Sequence, residues 1–268
     1  MASQPIIFFD SGVGGLTLLY ETRFKIPNSS FIYIADDAAF PYGDWQENEL
    51  CAHILNLFEK IFAKHNALIC VIACNTASTL ILPHLRQKFP NHKFVGTVPA
   101  IKPAAQKTYS KLISVLATPG TVKRNYTHSL IDSYARDCEV SLVGSSKLAQ
   151  YAEEYLCGTK IDIQLIKKEI EPCFIKKGDK RTDIVVLACT HYPFLINLFR
   201  KVAPWPVDWL NPAEAIAHRT ASLIAKEKIK NLTDTKLSND IAYFTSNEID
   251  PFKKRILEGF GLELRQFT

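Results

Sequence analysis

Short apolar runs bounded by turn residues alternate with longer stretches that place apolar side chains every three or four positions. This alternation limits the possible folds more than any other feature of the chain. The runs fall at 6–10, 31–36, 68–73, 94–96, 112–117, 139–143, 184–188, 207–210 and 241–245. They predict buried strands. The stretches at 48–64, 78–89, 121–136, 147–156, 163–176, 194–202 and 212–228 predict helices packed on sheet faces. Within 163–176, Ile163, Ile166, Ile170 and Phe174 form such a stripe and read as core. Strands alternating with helices are the pattern of βαβ units, so the fold class is α/β with mainly parallel sheets.

The alternation carries a coarse internal repeat. "IIFFDSGVGG" near the start and "LISVLATPGT" at 112–121 are both strands running into a glycine-containing turn before a helix. Further on in each half, "VIACNTAS" at 71–78 and "VLACTHYP" at 186–193 are apolar runs ending in Ala-Cys and then turning polar. The expectation is two similar parallel-sheet α/β domains, related by pseudo-two-fold symmetry and facing each other across a cleft that holds the active site. Prolines near 97–99 and 209–212 mark the joins, giving one domain from 1–98 plus 211–268 and a second from 99–210. The polar stretch "KEKIKNLTDTKLSND" at 226–240 reads as a solvated connection.

Composition narrows the possible functions. The net charge of +5 arises from 32 basic and 27 acidic residues scattered without a basic run, so no nucleic-acid partner is expected. No stretch approaches the roughly 18 apolar residues of a membrane span, and "MASQPIIFFDSG" lacks the segments of a cleavable leader. A cytoplasmic protein without membrane contact is expected. The seven cysteines (Cys51, Cys70, Cys74, Cys138, Cys157, Cys173 and Cys189) form no C-x-x-C pair, which predicts reduced thiols and no zinc.

In open parallel sheets, ligands bind beyond the carboxyl ends of the strands. The residues there are Asp10 and Ser11; Asp36 and Asp37; Cys74, Asn75 and Thr76; Thr118 and Thr121; and Cys189, Thr190 and His191. "DSGVGG" at 10–15 begins like a dinucleotide fingerprint, but Thr17 stands at the sixth place and no phosphate-binding Lys follows. A tight turn whose backbone amides face a small carboxylate accounts better for those glycines. Cys70, inside its strand, reads as core. Cys74 and Cys189 each follow the last apolar residue of a strand and read as sitting at helix N-termini, where a thiol with an ordinary pKa near about 8.5 gains thiolate character. Asp10 and His191 can move protons beside them. Two opposed thiols suit a reaction that removes a proton from one face of a tetrahedral carbon and returns one to the other.

The chain resembles the glutamate racemases of the cofactor-independent aspartate/glutamate racemase superfamily. The likeness is carried in order by "FFDSGVGGL" at 8–16, "PYG" at 41–43, "ACNTAS" at 73–78, "VGTVPAIKPAA" at 95–105, "LATPGTVKRNYT" at 116–127, "LACTHYPFL" at 187–195 and "FTS" at 244–246. The resemblance implies interconversion of L- and D-glutamate for peptidoglycan, with no cofactor and no metal. It implies Cys74 and Cys189 as acid–base residues, Asp10 assisting near Cys74 and His191 near Cys189, and Glu153 as a further acid near the second Cys, with Glu154 adjacent. Ser11, Pro41, Tyr42, Gly43, Asn75, Thr76, Thr118, Thr121 and Thr190 would line the substrate pocket. A homodimer and activation by a cell-wall precursor are further family properties.

Departures from the family pattern are Ala35, Asp37 and Ala39, where Gly, Ser or Thr, and Arg are usual, and Asn211 in place of an Asp. Three other readings remain open on sequence: an aspartate racemase, a thiol hydrolase or transferase using Cys189 with His191, and a non-catalytic binding protein for a small acid.

Overall fold

The computed structural model describes residues 4–67, 69–226, 240–246 and 249–267. Leu68, expected to open a strand, and nearly all of the stretch 226–240 lie outside the described residues. The chain divides into two compact units, Met1–Thr97 with Ala213–Thr268, and Val98–Pro212. In chain order the first unit opens with β1 (Ile6–Asp10), α1 (Leu16–Lys25), β2 (Phe31–Ala35), α2 (Glu47–Lys64), β3 (Ile69–Ile72), α3 (Asn75–Lys88) and β4 (Lys93–Gly96). The second contains α4 (Ile101–Lys107), β5 (Leu112–Ala117), α5 (Pro119–Lys123), α6 (Asn125–Tyr134), β6 (Glu139–Gly144), α7 (Leu148–Leu156) and α8 (Ile163–Ile170). It continues through the hairpin strands β7 (Lys176–Lys177) and β8 (Lys180–Arg181), then β9 (Ile184–Ala188), α9 (Ile196–Val202) and β10 (Asp208–Leu210). The chain then completes the first unit with α10 (Ala213–Lys226), β11 (Asp240–Phe244), α11 (Pro251–Gly259) and β12 (Leu262–Gln266).

Among the described residues the first unit builds one parallel sheet in the order β12-β11-β2-β1-β3-β4. The second builds a parallel sheet in the order β10-β9-β5-β6. In each unit the first strand has the second on one side and the third, then the fourth, on the other: β2-β1-β3-β4 and β6-β5-β9-β10. The winding therefore reverses direction beside β1 and beside β5. Loops diverge at such a reversal and leave a crevice at the strands' carboxyl ends.

Both faces of the central strands are covered, so every residue of β1, β2, β3, β5 and β9 is buried. Ile7, Phe9, Ile32, Ile34, Cys70 and Ile72 form one core of the first unit with Ile54, Phe58 and Ile61 of α2 and Ile81 and Leu85 of α3. In the second unit Ile113, Val115, Ala117, Ile184, Val186 and Ala188 pack with Ile101 and Ala104 of α4.

Several elements differ from the sequence expectation. The stretch 121–136 is two helices, because Arg124 takes extended backbone angles between α5 and α6. The stretch 163–176 stops being α-helical at Ile170, where Glu171–Cys173 with Pro172 form a 3-10 turn; of its stripe, Ile166 and Ile170 are buried in the helix. Helix α3 starts at Asn75, earlier than the expected 78, directly after Cys74. Unexpected elements are α4, whose Pro103 obscures its helical pattern, α11, the exposed β7–β8 hairpin, and β12 at the sheet edge.

Gly15 caps α1 where that helix meets β1 and the end of β3. A Cβ placed on it would lie 2.7 Å from Ala73 Cβ, 3.0 Å from the Tyr33 hydroxyl and 3.1 Å from Asp10 Cβ. Ala73 is too short to rotate away. Gly15→Ala is therefore expected to lower stability by about 1–3 kcal/mol, read as a lower urea midpoint; an unchanged midpoint would show that the helix can shift freely.

Candidate active site

The first unit gathers its polar residues at the reversal beside β1. Cys74 follows β3, is 6% exposed and is the N-cap of α3, with Ser78 N donating to Cys74 O at 2.8 Å. The opening amides of a helix lack intrahelical partners and, with the helix dipole, favour negative charge on an adjacent sulfur. The Ser11 hydroxyl lies 3.7 Å from Cys74 Sγ. Asp10, fully buried, accepts Gly12 N at 2.8 Å, and the Tyr33 hydroxyl donates to Gly12 O at 2.7 Å, which fixes the turn between β1 and α1. Asn75 and Thr76 are buried in the first turn of α3, and neither polar atom of the Asn75 side chain has a hydrogen-bond partner among the described residues. In native proteins such groups are rare and commonly functional.

Pro41, Tyr42 and Gly43 lie in the segment after β2, which passes through a 3-10 turn at Asp37–Ala39 and a cis Phe40–Pro41 peptide into a second 3-10 turn at Tyr42–Asp44. Tyr42 is buried, and its hydroxyl donates to Asp36 Oδ2 at 2.5 Å. Burial first, then the charge of Asp36, holds the phenol well above its ordinary pKa; the charges of Cys74 and Asp10 act in the same direction. Tyr42 is thus held neutral, with its one proton directed to Asp36.

The second unit gathers its own set beside β5. Cys189 follows β9 and is 7% exposed, with Thr190 and His191 buried beside it. His191 Nδ1 is 3.9 Å from Cys189 Sγ, and His191 Nε2 is 2.8 Å from Glu153 Oε1 on α7. Burial alone would lower the His191 pKa. Its hydrogen bonds to Cys189 and Glu153, and their charges, outweigh burial and raise it well above the ordinary histidine value. A protonated His191 ring carries an N–H at both nitrogens, one facing Cys189 Sγ and the other facing Glu153 Oε1. Thr118 caps α5 by accepting Thr121 N at 3.3 Å, with the two hydroxyls 3.0 Å apart.

Cys189 differs from the expectation in one respect: it is not at an α-helix N-terminus. A turn and the 3-10 turn Tyr192–Leu195 separate it from α9, with Pro193 as that turn's second residue. The polar group beside Cys189 is the His191 ring instead. Of the adjacent acids on α7, Glu153 faces His191, whereas Glu154 accepts from Gln150 Nε2 at 2.8 Å on the exposed side.

Other residues escaped the sequence reading. His53, on α2, lies 2.6 Å from Asp36 Oδ2, and the Thr245 hydroxyl donates to Asp36 Oδ1 at 2.8 Å. Thr245 falls in the "FTS" segment, but no local pattern joins it or His53 to Asp36, because the three meet through the placement of β11 beside β2 and of α2 on the sheet. Ser145, just after β6, donates to Glu169 Oε2 at 2.6 Å and accepts Leu148 N at 3.0 Å, securing the start of the helix that carries Glu153. Its place after a strand could have drawn attention to it. Among the described residues, no group of three His, Cys, Asp or Glu side chains could hold a metal ion. No described helix is long and apolar enough to cross a membrane.

No protein-family model matches the chain. It is 56% identical over 264 residues to a glutamate racemase of Bartonella tribocorum, covering 98% of this chain and 96% of that protein. It is 55% identical over 268 residues to the glutamate racemase of Mesorhizobium japonicum, covering 99% and 100%. Among solved structures, Escherichia coli glutamate racemase in complex with L-glutamate and the activator UDP-MurNAc-ala superposes with a TM-score of 0.86 at 35% identity, covering 98% of this chain and 97% of that one. Glutamate racemase isoform RacE1 of Bacillus anthracis gives 0.81 at 26% identity, covering 98% and 97%.

The Glu153 contact makes the His191 charge testable. The His191 ring is expected to titrate in NMR spectra with a midpoint above about 6.5, the unperturbed value. Glu153→Gln is expected to bring that midpoint down. Because the folded pKa is raised, His191's contribution to stability is complete below the unfolded pKa and disappears as pH climbs through the folded one. A midpoint unmoved by Glu153→Gln would remove the carboxylate as its cause.

Proposed function

The chain belongs to the glutamate racemase family of isomerases, and from that premise we propose that Cys74 and Cys189 exchange the α-proton of glutamate by a two-base, cofactor-independent mechanism. The observation that supports this most directly is their equivalent topological position. Each thiol follows the third strand of a sheet wound in the same order, next to the reversal point.

In the proposed reaction one thiolate takes the α-proton while the other, as a thiol, delivers a proton to the opposite face. Reversal exchanges their protonation states. Cys74 would be held as the anion by the N-terminus of α3 and by the Ser11 hydroxyl, with Asp10 as the nearby carboxylate. Cys189 would be held by the His191 imidazolium, which Glu153 keeps charged and oriented. The unpartnered Asn75 amide, with Thr76, Thr118, Thr121, Thr190 and the Pro41-Tyr42-Gly43 turn, would bind the carboxylates and the ammonium. A hydrolase using Cys189 and His191 alone would leave Cys74 without a role.

The physiological setting we propose is supply of D-glutamate for peptidoglycan in the cytoplasm, by a homodimer. The activator in the Escherichia coli complex motivates a parallel response to a cell-wall precursor in this protein.

The test is proton NMR of L-glutamate and, separately, D-glutamate in D2O with purified protein. Loss of the α-proton signal with racemisation is expected from both. Cys74→Ser and Cys189→Ser should each lower turnover by about 10²–10⁴-fold or more while the circular dichroism spectrum is unchanged. Normal turnover by either variant would end the two-thiol mechanism.

A further inference from the structure

We infer that Asp36 is a positioning residue that sets the Tyr42 wall of the substrate pocket, an inference that rests on the reading of Tyr42 as part of that pocket. Asp36 is 1% exposed at the carboxyl end of β2. Its backbone amide already donates to Asp10 O at 2.8 Å, so the side chain is not needed to close the strand pairing. The carboxylate instead gathers donors from three separate segments. Oδ2 receives the Tyr42 hydroxyl at 2.5 Å and His53 Nε2 at 2.6 Å, and Oδ1 receives the Thr245 hydroxyl at 2.8 Å. A carboxylate has about four acceptor positions, and hydrogen bonds to it are charge-assisted and directional.

The Tyr42 hydroxyl has one proton, and Asp36 takes it. The phenol can then face a ligand only through its ring or as an acceptor. The rest of the turn is tied at other points. Ser246 N and its hydroxyl donate to Asp37 at 3.0 and 2.6 Å, Ala38 N donates to the Thr245 hydroxyl at 3.2 Å, and Trp45 Nε1 donates to Ala39 O at 2.9 Å. Those ties fix the ends of the turn; the bond to Asp36 fixes the side chain between them. Asp37 is one of the departures from the family pattern, and its carboxylate makes the Ser246 tie in this chain. His53 buttresses the same oxygen that receives Tyr42, from a helix position where its side chain is 33% exposed.

The test is a double-mutant cycle on glutamate racemisation with Asp36→Ala and Tyr42→Phe. A residue that positions the pocket wall changes binding more than proton transfer, so Asp36→Ala should raise KM about ten-fold with kcat within about three-fold of the parent. Tyr42→Phe breaks the same bond from its other end and should raise KM similarly. The double variant should be no worse than either single one. Asp36→Asn, which keeps an acceptor for the phenol, should recover most of the KM. If the Asp36→Ala factor multiplies in full onto Tyr42→Phe, or if kcat falls with KM unchanged, the inference is overturned while the pocket reading stands. A Tyr42→Phe enzyme with parental KM overturns both together. Should Asp36→Ala fail to fold, His53→Ala replaces it in the same cycle. Its smaller KM effect must vanish in the Tyr42→Phe background, and an effect that persists overturns the inference.

Discussion

A parallel strand covered on both faces can expose side chains for chemistry only at its ends, and this constraint governs both units. Because β1, β3, β5 and β9 are buried throughout, the polar residues fall just after them, where the winding reverses and helices begin. Asp10, Ser11 and Cys74 occupy that place in one unit; Thr118, Thr121 and Cys189 occupy it in the other. The apolar strands and the polar ends are two parts of one arrangement, since a less completely covered sheet would not confine its functional groups so tightly.

The two thiols were legible in the sequence because the pattern of each, an apolar run ending in Ala-Cys before polar residues, is local. The strand order that makes them equivalent is not local. It depends on which side of β1 and β5 the later strands add, and "VIACNTAS" and "VLACTHYP" carry no record of that. The same limit hid the Asp36 cluster, whose partners come from α2 and from beyond β11. It also hid the difference between the two cysteines. "CTHYPFL" reads like the start of a helix, but a 3-10 turn at Tyr192–Leu195 comes before α9. The edge strand β12 and the short α4 were missed for a simpler reason. Neither has enough buried positions, or enough length, to impose a clear period on its residues.

The departures at 35, 37 and 39 are partly explained by the fold. Ala35 is the last residue of β2 and is fully buried, with its carbonyl accepting Thr245 N at 3.1 Å. Asp37 is committed to Ser246 and is not an unpaired charge. Ala39 accepts from Trp45 through its backbone, which needs no particular side chain.

The units share a winding order but support their cysteines by different physics. Beside Cys74 stands the end of a helix, which does not titrate; beside Cys189 stands an imidazole, which does. Under the two-thiol reading, one direction of the reaction begins with the cysteine whose neighbour titrates and the other with the cysteine beside a helix end. The enantiomers have equal free energy, so the ratio of the two kcat/KM values must equal one at every pH. Any difference between the directions in the pH dependence of kcat must therefore be matched by an equal difference in KM, and an enzyme with unequal halves still gives both enantiomers the same catalytic efficiency.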